Sequence, residues 1–419
     1  MSVQVSDILI IGGGILGLSC AWSIASSAPI GSRITLLESN TLSSGTTSQA
    51  AALLTRARPN QDMARLVAAT FKAISKLEAE LNESLPLRKV GSLHISMGHE
   101  SADYLTSTET AARLFDLRHH RVNPKQVKQL SPWLNTQKID NALLVEDDGY
   151  MDPVQLSQAY AAAARKKGVQ IKQGVTIKDL FVASQGIQGV LTNQGIFEAP
   201  QVICCAGPWS IKLLHDYEVR LGMAAVRSHY WITDVNPALF PTHAPMVIMP
   251  DIKAYARPEV GGLLFGLRDQ QAVYASPDQQ AVYASPDQIP ASIHGFEFDQ
   301  DPKGLECLED QWQGLSDLFP SLNDIGIAHY ISGISSYTPD GKPIIDATSI
   351  SGLYVATGCS GGGIAISGGV GEAMANLVLN KTTAGSLETF SINRFGAIDP
   401  LDQAFMVECA QARSQKKSG

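Results

Sequence analysis

The sequence is poor in charge. Asp, Glu, Lys and Arg make up 17% of its 419 residues, and the basic ones are the minority, 32 against 40, for a net charge of −8. Nucleic-acid binding calls for a basic patch or stripe, so no nucleic-acid partner is expected. Cysteines at metal-site or redox spacing are also missing. Cys20, Cys204, Cys205, Cys307, Cys359 and Cys409 are scattered, with no C-x-x-C among them. That argues against zinc-ribbon and thioredoxin-like readings and fits reduced, buried thiols in a reducing, cytoplasmic setting. Metal ligands are lacking too. His119 and His120 stand side by side with no third ligand at metal spacing, so no metal is expected. The opening MSVQVSD has no positive stretch before its apolar run, and a secretory signal is not expected. Residues 8–32 carry no charge and are long enough to span a bilayer. Their glycine cluster has a better explanation below, and no transmembrane segment is expected.

Apolar residues, by contrast, reach 44%. That is enough for a core spread over about two to four domains at this length. Residues 7–11 form a short apolar run rich in β-branched side chains. Glycines 12–14 and 17 follow, then an Ala/Ser-rich apolar stretch to Ala28 and a second apolar run over 33–38. Strand, tight turn, helix and strand make a βαβ unit, the start of a parallel sheet. Helical periodicity covers 62–81, and a strand is expected over 90–96. Asp152 can cap a helix that Pro153 begins and Gly168 ends. Strands are expected at 169–171, 180–183, 187–192, 195–198 and 202–207.

The pattern then changes. Residues 229–233, 246–249 and 262–266 read as strands separated by turns and prolines, an antiparallel sheet outside the first one. A helix is expected over 304–318, and a glycine-rich turn after 354–357 leads into another from about 369 to 379. Residues 270–278 recur unchanged as 279–287. Two short copies do not make a solenoid. They read as a duplicated surface loop, or as a flap over the substrate site. The fold class expected is α/β, a Rossmann-like nucleotide-binding domain with an interleaved antiparallel α+β domain.

Gly12-x-Gly14-x-x-Gly17 says little alone, but here it follows a strand and opens a helix, with Glu38 about 20 residues on at the end of the next strand. Gly12 suits the tight turn, and Gly14 lets a pyrophosphate approach the backbone at the positive helix N-terminus, beside Ile15 and Leu16. Gly17 suits close packing of helix on strand, and Glu38 can bind ribose hydroxyls. The motif does not separate NAD from FAD. Other glycine-rich segments return near the far end of the chain, as a long flavin cofactor would need.

These residues resemble the D-amino-acid-oxidase superfamily of FAD-dependent amine oxidoreductases, the sarcosine oxidase, glycine oxidase and dimethylglycine dehydrogenase group. The resemblance runs from Asp7 to about Arg394. Residues 44–54 resemble the segment that wraps the flavin, which implies cofactor contacts from Ser39, Gly45, Thr46, Thr47, Ala52 and Leu53. Residues 202–210 are similar to the strand ending in Ala-Gly beside the cofactor, which implies Ala206, Gly207 and Trp209, with Val175 nearby. Residues 255–266 resemble a substrate-domain strand pair. Residues 337–346, 358–372 and 390–394 resemble sarcosine oxidase. There Gly358, Ser360, Gly361, Gly362, Gly363 and Ile364 would hold the flavin ring, with backbone N–H groups facing the charge it gains on reduction.

The resemblance implies oxidation of the C–N bond of an amino acid or N-alkyl amino acid, by hydride transfer to flavin N5. The resulting imine hydrolyses, and oxygen, a quinone or an electron-transfer protein takes the electrons. The sequence departs from the family at informative places. A flavin-linking histidine is replaced by Gln49 and a flavin-linking cysteine by Gly333, so non-covalent FAD is expected. A carboxylate-holding lysine falls at Ala365, a carboxylate-holding arginine at Ser335, and an oxygen-activating lysine near Leu264. Arg56 and Arg58 are the candidates to hold a substrate carboxylate, with Arg257 behind them. Tyr255 and His229 are candidates on the substrate side. The alternative is a non-catalytic FAD-binding subunit or assembly factor of a larger complex. An NAD-dependent dehydrogenase is a third reading, and the late flavin-like segments speak against it. The expected FAD domain comprises residues 1–88, 150–222 and 328–396, and the substrate domain 89–149 and 223–327. The tail, 397–419, has no readable role beyond a helix that could touch a partner in a homo- or hetero-oligomer.

Overall fold

The structure is a computed structural model that describes residues 3–268, 304–381 and 387–416. The tandem repeat lies outside them. Strand order in the first large sheet is Ile344–Ala347, Leu353–Thr357, Val202–Cys204, Ile8–Ile11, Ile34–Leu37 and Gln170–Lys172. Every neighbouring pair is parallel except the first, an antiparallel edge strand. Its central strands are buried throughout, which is why they read as continuous apolar runs. On one face pack the helices Ile15–Ser27, Gln61–Leu81, Pro153–Lys166 and Gly363–Val378, around a core that includes Leu18, Ile24, Val67, Tyr160 and Met374.

The local signals explain the helix ends. Asp152 accepts a hydrogen bond from the Gln155 backbone, and Pro153 opens the helix. Asn60 caps the Gln61–Leu81 helix in the same way, and Asn82 ends it in the left-handed conformation. One boundary differs from expectation. The last core helix begins at Gly363 and not near Gly369. The glycines that suggested a longer loop are packing glycines. A Cβ on Gly369 would lie 2.4 Å from the Leu66 Cα, and one on Gly371 would lie 2.3 Å from the Ser19 Oγ. They let two neighbouring helices approach this one closely.

The second large sheet runs in the order Ile327–Tyr337, Ala224–Thr233, Gly262–Leu267, Ala254–Glu259, Met246–Met249, Ser92–Ser96, Asn141–Val145 and His119–Val122. It is antiparallel except where Met246–Met249 runs parallel to Ser92–Ser96. Residues 328–337, expected in the nucleotide domain, pair with Ala224–Thr233 in this second sheet. Its core holds Trp231, Phe240, Phe265 and Phe319, with Trp231 stacked on Phe265 at 5.6 Å.

The tail forms a helix, Gln403–Gln415, capped by Asp402. It packs on its own chain: Met406, Cys409 and Ala410 close over Ala224, Val226 and Tyr337. Among the described residues no helix is long and apolar enough to cross a membrane, and no cluster of His, Cys, Asp and Glu could hold a metal ion. His119 and His120 are surface groups, His120 lying 3.2 Å from the Glu146 carboxylate.

Candidate active site

A cavity of about 470 Å³ runs between the two large sheets, in the size range of cofactor sites. Its floor at one end is the glycine turn. Gly12 has φ +104°, and a Cβ there would meet the Cys205 carbonyl oxygen at 2.6 Å. Gly17 does not line the cavity; a Cβ on it would lie 1.9 Å from the Gly12 carbonyl oxygen. The helix therefore starts directly against the turn. Thr47 accepts a hydrogen bond from the Ile15 N–H at 3.0 Å, closing residues 43–54 over that helix start. The Glu38 carboxylate accepts from the Gly13 N–H at 2.6 Å and the Asn40 N–H at 2.8 Å, and it lines the cavity with Ser39 and Val175. Gly14, Ile15, Leu16, Gly45, Thr46, Ala52 and Leu53 line it as well, as do Ala206, Gly207 and Trp209.

The second glycine turn closes the other side. Gly361, Gly362, Gly363 and Ile364 line the cavity, whereas Gly358 and Ser360 build the turn behind them. Ser360 has φ +48° without being glycine. Such strain persists only where surroundings hold it. Here the Ser360 N–H donates to the Ser336 carbonyl at 2.8 Å, and its hydroxyl accepts from the Thr338 N–H at 3.2 Å. The turn leads straight into the Gly363–Val378 helix, whose positive end lies at the cavity wall.

Beyond this turn the cavity continues along the second sheet. His229, Tyr255, Arg268, Ser335, Ser336 and Tyr337 line it there, with Arg413 and Lys416 from the tail helix and its end. His229 is buried and packs 4.9 Å from the Trp231 ring. The Arg268 guanidinium sits 5.5 Å from the centre of the Tyr255 ring. Burial pushes the Tyr255 hydroxyl above its ordinary pKa, so it stays a neutral donor.

Arg56, Arg58 and Arg257, the cations expected at the substrate, do not line the cavity. Arg257 donates to the Ala51 carbonyl at 2.7 Å, pairs with Glu259 and covers the Tyr150 ring. Arg58 is turned back on the Thr55 carbonyl at 3.0 Å, and Arg56 lies over the Phe71 ring at 4.8 Å. They brace the segment that roofs the site. Sequence reasoning missed Arg268, which stands one residue past a strand, and the tail pair Arg413 and Lys416. The spacing of that pair, three apart at the end of a helix, was a usable sign that both share a face. The positions where the family carries its flavin links, Gln49 and Gly333, both line the cavity, as do Ser335 and Ala365.

Under the roof lies a buried polar relay. The Ser92 hydroxyl donates to the Asp148 carboxylate at 2.6 Å and stands 2.8 Å from His94 Nε2, while His94 Nδ1 stands 2.8 Å from the Tyr104 hydroxyl. Because Ser92 gives its one proton to Asp148, it accepts from His94 Nε2–H, and Nδ1 accepts from Tyr104. Asp148 also accepts the Arg56 backbone N–H at 2.7 Å, which ties the relay to the roof. Burial pushes Asp148 up to about 6. Burial, then the Arg58 charge, pushes His94 down to about 3.

Residues 7–377 match the family model described as DAO, FAD dependent oxidoreductase. The chain belongs to the DAO family. Among curated DAO-type relatives, mouse dimethylglycine dehydrogenase, mitochondrial, is 27% identical over 93% of this chain and 44% of its own length. The formaldehyde-forming 4-methylaminobutanoate oxidase of Paenarthrobacter nicotinovorans is 28% identical over 92% of this chain and 45% of its own. The chain thus spans less than half the length of these relatives. The crystal structure of L-proline dehydrogenase from P. horikoshii shares the fold, with a TM-score of 0.80 at 20% identity, covering 94% of this chain and 98% of that one. Membership in the DAO family makes FAD the cofactor, and the glycine cradle, where side chains would fill the space, fits a dinucleotide.

Proposed function

We propose that this chain oxidises the carbon–nitrogen bond of an amino acid or N-alkyl amino acid, with non-covalently bound FAD. One observation carries the reading: the dinucleotide cradle opens without interruption into a chamber lined by Tyr255, His229 and Arg268. Bound FAD supplies the two-electron acceptor for hydride leaving the carbon beside nitrogen. The chain's own groups place the substrate, and holding it at the reacting distance supplies much of the rate. Gly361, Gly362 and Gly363 present backbone at the positive end of a helix, where developing negative charge is favoured. Tyr255 remains a hydrogen-bond donor at neutral pH. The imine product needs only water to hydrolyse. The activities by which the relatives are named, on dimethylglycine and 4-methylaminobutanoate, support this substrate class.

The test is anaerobic bleaching of the visible flavin band by sarcosine, dimethylglycine, proline, glycine and D-amino acids. One of them is expected to bleach it within seconds, and readmitted air then shows whether oxygen is the acceptor. A reducible flavin that none of them bleaches would refute the reading. Acid precipitation is expected to leave all the flavin in the supernatant, since Gln49 and Gly333 cannot form the family's covalent links. Yellow colour in the washed pellet would show a link.

A further inference from the structure

We propose that the tail helix, Gln403–Gln415, and the residue after it complete the substrate site, and that Arg413 and Lys416, with Arg268, form its carboxylate-binding corner. This rests on the proposed function and says how the carboxylate of its substrate is held, a group that a plain amine lacks. These two tail residues lie beyond the 7–377 stretch shared with the family. The positions where the family holds a carboxylate are Ser335 and Ala365 here, and both line the same cavity. Neither side chain is charged, so a carboxylate in this cavity has to find its cation elsewhere.

The geometry brings the three cations together from two elements. Arg268 follows the Gly262–Leu267 strand, and Arg413 reaches that strand's end by donating to the Leu267 carbonyl at 3.2 Å. Lys416 lies across the second glycine turn. Its Nζ is 3.5 Å from where a Gly361 Cβ would stand, next to the Tyr337 hydroxyl. Apolar packing of Met406, Cys409 and Ala410 against the second sheet fixes the helix, so the two side chains are held in place. Among the described residues, the carboxylates lining the cavity are Glu38, Asp179 and Asp216. Glu38 is bound to the first glycine turn. Asp179 shares a hydrogen bond with Tyr217, beside Asp216.

Burial, followed by the charges of Arg268, Arg58 and Arg413, pushes the Lys416 pKa well below the lysine range. An anion bound beside Lys416 would favour its protonated form. A carboxylate can bind arginine and protonated lysine at once through its two oxygens.

The experiment titrates the visible spectrum of the FAD-loaded full chain with acetate and benzoate, which cannot be oxidised here, and with benzamide as the neutral isostere. The wild type is expected to bind benzoate at least about tenfold more tightly than benzamide, the size of one charge-assisted hydrogen bond. Lys416→Met should raise the benzoate Kd about tenfold or more without moving that for benzamide, and Lys416→Arg should restore most of the loss. Benzoate and benzamide binding alike, or neither acid binding to the wild type, would overturn the proposal even if Lys416→Met failed to load FAD. So would an unchanged benzoate Kd in Lys416→Met. Proline against pyrrolidine, compared by bleaching, separates the two readings. Bleaching by both with equal rates leaves an amine oxidoreductase without the clamp. Carboxylate binding that depends on Lys416, with no amino acid able to bleach, leaves the clamp and removes the reaction.

Discussion

Gly17→Ala is expected to yield a chain that carries no FAD. The added Cβ would stand 1.9 Å from the Gly12 carbonyl oxygen, a backbone atom, and the Cβ position is itself fixed by the backbone. No rotamer change relieves such a contact, so the Ile15–Ser27 helix must move off the turn. That helix is buried from Ile15 to Ile24 and is wedged against the Pro153–Lys166 and Gly363–Val378 helices. Moving it breaks close packing at a cost of about 3 kcal/mol or more, and it pulls the helix N-terminus from the place where it would meet the pyrophosphate. The loss of FAD affinity should exceed about a hundredfold, roughly the same energy. The check is flavin absorbance per polypeptide after gel filtration, with far-ultraviolet circular dichroism to follow the fold. Stoichiometric flavin in the variant would mean that helix and turn are not in contact as described.

Asp148→Asn is expected to make the protein markedly more acid-sensitive, although it removes a carboxyl group. His94 is held at about 3 in the folded state, below its ordinary 6.5. The unfolded chain therefore takes up that proton first, and the stability His94 contributes above pH 6.5 is lost as pH falls toward 3. Asp148 is held at about 6, above its ordinary 3.8. Its contribution has the opposite sign, full below pH 3.8 and lost as pH rises through 6. Between about pH 6 and pH 4 the two slopes, each about 1.4 kcal/mol per pH unit, nearly cancel. With an amide in place of the Asp148 carboxyl, the His94 slope is uncompensated, for an extra loss of about 3 kcal/mol on acidification across that window. Urea midpoints at pH 6 and pH 4 measure it, and the comparison of slopes removes the constant cost of the changed hydrogen bonds. Parallel pH profiles for wild type and variant would show that the relay does not titrate as derived.

Adjacency in the chain decided what could be read from sequence. The glycine turn, Glu38, the capping Asp152–Pro153 pair and the alternating runs of the second sheet each act over a few residues, so composition and spacing were enough to place them. The same holds for the family resemblance, which rests on short segments and led to FAD. The extent of the last core helix was not legible, because glycine reads as a breaker until its neighbours are known. Gly369 is helical because Leu66 leaves no room for a side chain. Which cations line the cavity was not legible for a related reason. Arg56 and Arg58 lie next to the flavin-wrapping segment in sequence, but Asp148 holds the Arg56 backbone and Thr55 holds the Arg58 guanidinium, which turns them into braces. By itself the sequence determined the nucleotide cradle, the α/β class and the cofactor. Only the tertiary structure decided which charges face the chamber: Arg413 and Lys416 reach Arg268 because a weakly amphipathic tail helix is docked by apolar contacts onto strands far away along the chain, and no local pattern encodes a contact of that range.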